Sequence, residues 1–250
     1  MKTVKNLLVC ASLLVTGIVS AQETDTRKLS SFSKLDVGGP FEVTIENGSE
    51  ESVKITAEGV PLNKIITEVK GSTLEIYLER GDYRNNIKAK IYLTYKNLDA
   101  IDKSGSGNLI CNSDLAANDF DLGLSGSGNV STKTIKAQHV KIRKSGSGNI
   151  KVTGLETDNA DLSLSGSGDM EISNGYAKNQ SVHLSGSGNV RAHGVKSNEC
   201  AASISGSGSI DVSVSQMLEG VISGSGNITY DGDAQVKKMG ISGSGRINRR

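Results

Sequence analysis

Tryptophan is absent from this chain, and its 250 residues include only two prolines, three cysteines and 4% aromatics. So few aromatics leave little on which to stack bases or sugar rings, which argues against a nucleic-acid groove or an aromatic carbohydrate platform. Neither sign of charge is in excess. The formal net charge is +1, and it becomes −1 (26 basic against 27 acidic residues) once Lys2 and Lys5 leave with residues 1–21. That balance removes the electrostatic drive towards nucleic acid, so no nucleic-acid partner is expected. No apolar run after residue 21 reaches membrane-spanning length, and no segment sustains a 3.6-residue period. The expectation is an all-β chain with no transmembrane segment after the leader.

Glycine, at 30 residues, is what the chain has in quantity, and most of it is punctuated. Ser-Gly-Ser-Gly begins at Ser104, Ser125, Ser145, Ser165, Ser185, Ser205, Ser223 and Ser242, with gaps of 21, 20, 20, 20, 20, 18 and 19 residues. A linker shows enrichment without such spacing, whereas one fixed period marks a solenoid in which each coil buries its apolar face against the next. Apolar residues two apart precede the motif (Leu122 and Leu124, Leu162 and Leu164, Val182 and Leu184), and an apolar residue follows it in every copy. Period two is strand spacing, so the expected fold is a parallel β-solenoid of about eight ~20-residue coils over residues 101–250. Counting by twos from Leu122 turns Gly126 and Gly128 inward, where they let opposite walls approach, and turns Ser125 and Ser127 outward as ladders. Asn108, Asn129, Asn149, Asp169, Asn189 and Asn227 form a corner ladder, suited to a left-handed turn. Lys103 and Lys144 occupy a slot that is Leu or Ile elsewhere and are expected to bend outward. Seven steps of about 4.8 Å make a rod roughly 34 Å long.

Residues 1–21 read as an export signal: Lys2 and Lys5, an apolar run from Leu7 to Val19, and small residues before Gln22. Cys10 would be lost with it. Cys111 and Cys200 lie more than four coil steps apart, roughly 20 Å, too far for a disulfide; both are expected as buried free thiols.

Residues 22–28 read as a short linker and 29–100 as a separate β-rich region. Phe41–Ile45, Val53–Ala57, Leu74–Leu78 and Ile87–Tyr95 alternate, with hairpin-type turns at Asn47-Gly48 and Lys70-Gly71-Ser72. Leu62–Val69 fits a short helix or a strand equally. This region covers one open end of the solenoid. Leu29-Ser-Ser-Phe32, Leu35-Asp-Val37, the Phe41–Ile45 strand and Leu98-Asp-Ala-Ile101 running into Ser-Gly-Ser-Gly-Asn together resemble the head GIN domain family of bacterial exported proteins. The resemblance implies a right-handed β-helix, an adhesin-like role and a periplasmic, outer-surface or secreted location, and it transfers no catalytic residue.

Motifs that carry chemistry are thin. The phosphate-loop pattern does not occur, and Gly126-Ser-Gly128 fails as a dinucleotide fingerprint because Ser131 stands where the third glycine belongs. A corner of Asn with a single Asp169 is a poor calcium stack, so neither metal nor cofactor is expected. His139, His183 and His193 lack an evident oriented acid and read as surface residues. Asp121, Lys141 and Asp161 share one repeat slot as an alternating strip, the candidate surface site, which reads as a salt-bridge ladder. Two functions remain. One is an exported non-catalytic binding or scaffold module presenting Ser and Asn ladders to a glycan, cell-wall component or envelope protein. The alternative is a polysaccharide-acting lyase or hydrolase on a β-helix, which the missing acid/base cluster disfavours.

Overall fold

The computed structural model describes residues 23–81, 83 and 87–250; the expected export signal lies outside the described residues. Nearly all the rest is strand. The N-terminal part comprises β1 (Glu23–Lys28), β2 (Lys34–Gly38), β3 (Glu42–Asn47), β4 (Ser52–Glu58), β5 (Ile65–Lys70), β6 (Thr73–Leu78) and β7 (Lys88–Tyr95). The repeat part begins with β8 (Ala100–Gly105), β9 (Leu109–Cys111), β10 (Leu115–Ala116) and β11 (Asp119–Gly126). Four long strands follow, β12 (Val130–Gly146), β13 (Ile150–Gly166), β14 (Met170–Gly186) and β15 (Asn189–Gly206), each one coil from one motif to the next. The stack ends with β16 (Ser209–Gly224), β17 (Asn227–Asp231), β18 (Gln235–Gly243) and β19 (Arg246–Arg249).

The coils pair in parallel, in register at the motif, with register shifts elsewhere between β15 and β16 and between β16 and β18. Ser104, Ser125, Ser145, Ser165, Ser185, Ser205, Ser223 and Ser242 stand in a single column, so the fold is a β-solenoid. Leu122, Leu124 and Val130 are buried and Ser125 and Ser127 are exposed; of the motif's two glycines the second, Gly128, is buried, while the first, Gly126, expected inward, is half-buried at the corner. The reason for glycine is different from the expected wall-to-wall gap. A Cβ on Gly166, which has φ +107°, would stand 2.5 Å from the Gly146 carbonyl oxygen, and one on Gly168 would run into the Gly148 carbonyl. Both clashes are with the backbone of the preceding coil. The motif therefore sets coil-to-coil contact along the axis. The same carbonyl column binds the corners together: Ser187 and Gly188 both donate N–H to the Gly166 oxygen at 3.1 Å.

The asparagine corner also works differently from the expectation. Among the described residues no non-glycine residue has positive φ, so glycine absorbs the left-handed geometry and asparagine provides the ladder.

The region before residue 100 is interleaved with the stack. β2–β3 pairs in parallel with β6–β7 on one side and with β8–β9 on the other, so it sits between two segments that follow it in the chain. Its corner, Val37-Gly-Gly-Pro-Phe-Glu-Val43, stands in register with Lys103-Ser-Gly-Ser-Gly-Asn-Leu109. It is a degenerate copy of the motif in which fully buried Phe41 replaces the second glycine. Asn47-Gly48 is accordingly not a hairpin, because β7 lies between β3 and β4. Lys70-Gly71-Ser72 does close the β5–β6 hairpin, with Gly71 at φ +60°. Leu62–Lys64 is one 3-10 turn leading into β5. Antiparallel β4 and β5 cover the free edges of β7 and β6, which would otherwise offer unpaired backbone to other chains. One apolar core runs from Phe32 to Ile228.

Candidate binding groove

The outward residues on either side of the slot before each motif make a groove along the axis. Six coils contribute three consecutive residues each, for example Ser163, Leu164 and Ser165, and the last contributes Val221 and Ser223. The middle one is buried and the flanking two form the rims. One rim is the serine column. The other runs Asp102, Gly123, Arg143, Ser163, His183, Ser203, Val221 in strict register. The groove encloses about 760 Å³, and most of its wall is carbon. Leu164 and Leu184 below it also reach the next coil's Gly188 and Gly208, closing the corner from inside.

Lys103 and Lys144 do not bend outward. They are 1% and 2% exposed and line this groove from the inner slot. The long alkyl stem substitutes for leucine, and the ammonium finds acceptors in the carbonyl column. Lys103 Nζ donates to the oxygens of Ser104 (2.5 Å) and Gly39 (3.2 Å), and Lys144 Nζ donates to Gly146 O at 2.8 Å. The Gly146 oxygen accepts the Ser167 amide as well. Burial depresses both amines from their ordinary value, since desolvation disfavours the charged form.

At the N-terminal end the rim continues as a column of acids, Glu75, Asp36 and Asp102. Burial raises the Asp36 carboxyl, and Asp102 and Glu75 add to it; burial and then Asp121 raise Asp102, against Arg143 and Lys34. The Asp102 carboxylate fills the space that a side chain at Gly123 would take. Arg143 reaches Asp121 at 3.0 Å and Asp102 at 4.0 Å.

Asp121, Lys141 and Asp161 stand side by side next to this rim. The cation that meets Asp121 is Arg143, on the neighbouring column, and among the described residues no ion pair joins Lys141 to either aspartate. The corner residues do bond as a column. The Asn108 side-chain oxygen accepts the Asn129 backbone N–H (3.0 Å) and amide (2.9 Å), and Asn129 repeats this towards Asn149. Asn149 accepts the Asp169 N–H at 2.9 Å, and Asp169 accepts Asn189 and Arg191, whose hydrogen bonds hold its carboxyl below the ordinary value despite burial. Ser209 interrupts the column before Asn227. His183 bonds Ser203 through Nδ1, and His139 bonds Asn159. Among the described residues no group of three or more His, Cys, Asp or Glu is placed to hold a metal, and no helix is long and apolar enough to cross a membrane.

Stacked parallel coils with polar ladders and a groove along the axis make the molecule a β-solenoid. The family described as "Putative auto-transporter adhesin, head GIN domain" matches residues 31–174 and 130–234, and the chain belongs to it. Among solved structures, a "putative lipid binding protein" from Parabacteroides distasonis is 30% identical, with TM-score 0.83, covering 92% of this chain and 96% of its own. A "putative adhesin" from Parabacteroides merdae is 23% identical (TM-score 0.84, 92% and 96% covered), and one from Bacteroides fragilis 24% (TM-score 0.71, 92% and 97%); these two share the fold. No curated protein matches the chain.

The groove is the part that sequence reasoning missed. Its signal was present: with Leu122 and Leu124 inward, position 123 of each coil must face out beside the serine column.

Proposed function

We propose that this chain is an exported, non-catalytic binding module of the cell envelope that holds an elongated ligand lengthwise in the axial groove. The observation that carries this reading is the register: the rims run unbroken from Asp102 to Val221. Each coil offers one serine and, except at Gly123, one further side chain at about 4.8 Å intervals. Such a wall supplies many equivalent weak contacts and no convergent centre where an acid, a base and a nucleophile meet, which favours binding over turnover. The family description supports the adhesin-like role. An envelope glycan suits the serine ladder. A second reading, that the ligand is a lipid, is favoured by the carbon-rich wall and by the name of the 30%-identical relative.

The test is a panel of cell-wall glycans and lipids run beside a polysaccharide-lyase assay, with Ser185→Glu as the groove-blocked control. Retention of one class by the native chain, its loss in the variant, and no turnover are expected. Turnover of a glycan, or binding that ignores Ser185→Glu, would overturn the reading.

A further inference from the structure

The charges that line the groove are satisfied within the protein. Arg143 pairs with Asp121 at 3.0 Å and with Asp102 at 4.0 Å, and the Lys103 and Lys144 ammonium groups turn inward to main-chain carbonyls. Nothing at that end singles out a charged ligand of either sign. Beyond Lys144 the lining is serine, leucine, isoleucine, Val221 and His183. This distal wall suits hydrocarbon as long as the imidazole is neutral. Imidazole is the side chain that ordinarily changes charge between about pH 5 and 8, and His183 is the one titratable lining residue beyond Lys144. It stands on the rim between Ser163 and Ser203 and bonds the Ser203 hydroxyl through Nδ1. Ser181 and Ser185 flank it on its own strand. Of the charged side chains on the packed coils, Asp161 lies one coil back and two residues along, about 8 Å away main chain to main chain, and Arg143, Lys144 and Glu219 are two coils off. Among the described residues no ion pair reaches His183.

We propose that the distal half of the groove holds one uncharged hydrocarbon chain, and that protonation of His183 loosens that hold. This rests on the groove being the binding site. The rims are residues i and i+2 of each strand, about 6.6 Å apart, and Ser163 to Val221 spans three coil steps, about 14 Å. A chain lying over the imidazole strips water from it, which disfavours its charged form. Linkage makes the effect reciprocal, so a protonated His183 weakens the binding of the chain. The bond to Ser203 survives the change, because the imidazolium donates from Nδ1 and the hydroxyl accepts. Acid therefore alters the charge of the rim and leaves its hydrogen bond in place.

The experiment follows backbone amide shifts of the full chain during titration with octaethylene glycol monododecyl ether, below its micelle concentration, and with a linear N-acetylglucosamine oligomer. Neither probe titrates, so any pH dependence belongs to the protein. The alkyl ether should perturb amides from Ser163 to Val221 saturably, and its affinity should fall about threefold or more from about pH 8 to about pH 5. His183→Gln, which cannot take the proton, should bind it equally at both values. His183→Lys, charged at both, should bind it weakly at both. Affinity that ignores pH in the native chain, or a pH dependence that survives His183→Gln, would overturn the inference. If only the oligosaccharide perturbs the groove, the hydrocarbon inference fails while the binding site stands. If neither perturbs it, both readings fall.

Discussion

Glycine at the motif corners and lysine beneath the groove exert their effects through the main chain of the neighbouring coil. Gly166→Val has to push a branched side chain against the Gly146 carbonyl and hold an L-residue at φ +107°. It should cost at least the 1–3 kcal/mol or so of ordinary overpacking. Ser165→Val and Ser167→Val face outward and should change urea stability by only about 0.5 kcal/mol. Serine variants that prove the more damaging would mean an inverted register. Lys144→Leu removes a buried charge from a slot that is leucine in the next coil and should raise the urea midpoint at neutral pH. Because the folded amine lies below its ordinary value, the unfolded chain binds the extra proton between the two values. Native stability therefore rises with pH through that window, and the advantage of Lys144→Leu shrinks as pH climbs towards about 10.5. Asp36 has the opposite sign. Its raised carboxyl destabilises the fold once ionised, so Asp36→Asn should raise Tm at pH 7 and lose that advantage below the ordinary aspartate value near 3.8.

Among the elements, the coils were legible from sequence because the repeat is nearly strict and period-two alternation leaves one side of each strand apolar. The buried second glycine, the outward serines and the Asn at the corner follow from residues 122–130 alone, whereas the half-exposed first glycine does not. The interleaved β2–β3 coil was not legible. Its corner keeps only Gly39 of the motif glycines, and Phe41 disguises the second position. Nor was the burial of Lys103 and Lys144, because inward lysine is acceptable only where a carbonyl column exists to receive it, and that column is a product of stacking. The corner ladder gives its own test. Asn149→Ala removes an acceptor for the Asp169 N–H and a donor to Asn129. It should cost about 1 kcal/mol. Asn227→Ala lies past the Ser209 interruption and should cost less in the same urea melts. Equal costs would show that the column does not act as a ladder.

On the scale of the whole molecule, Cys111 and Cys200 are free and buried in well-separated coils, and burial pushes the Cys200 thiol up to about 12. Both should resist alkylation in the native chain and react in urea without reductant; a disulfide would contradict the stacking order. The unbroken pairing of the two rim columns makes the groove a continuous feature of the molecule. An elongated ligand lying in it must gain contacts with every coil it crosses. Calorimetric titration with two series of increasing length, octanoate to stearate and linear N-acetylglucosamine oligomers, tests this most directly. Affinity in one series should climb with length, level off once the ligand spans Asp102 to Val221, and lose that climb in Ser185→Glu. Affinity independent of length in both series, or a climb that survives Ser185→Glu, would contradict a ligand held lengthwise in the groove.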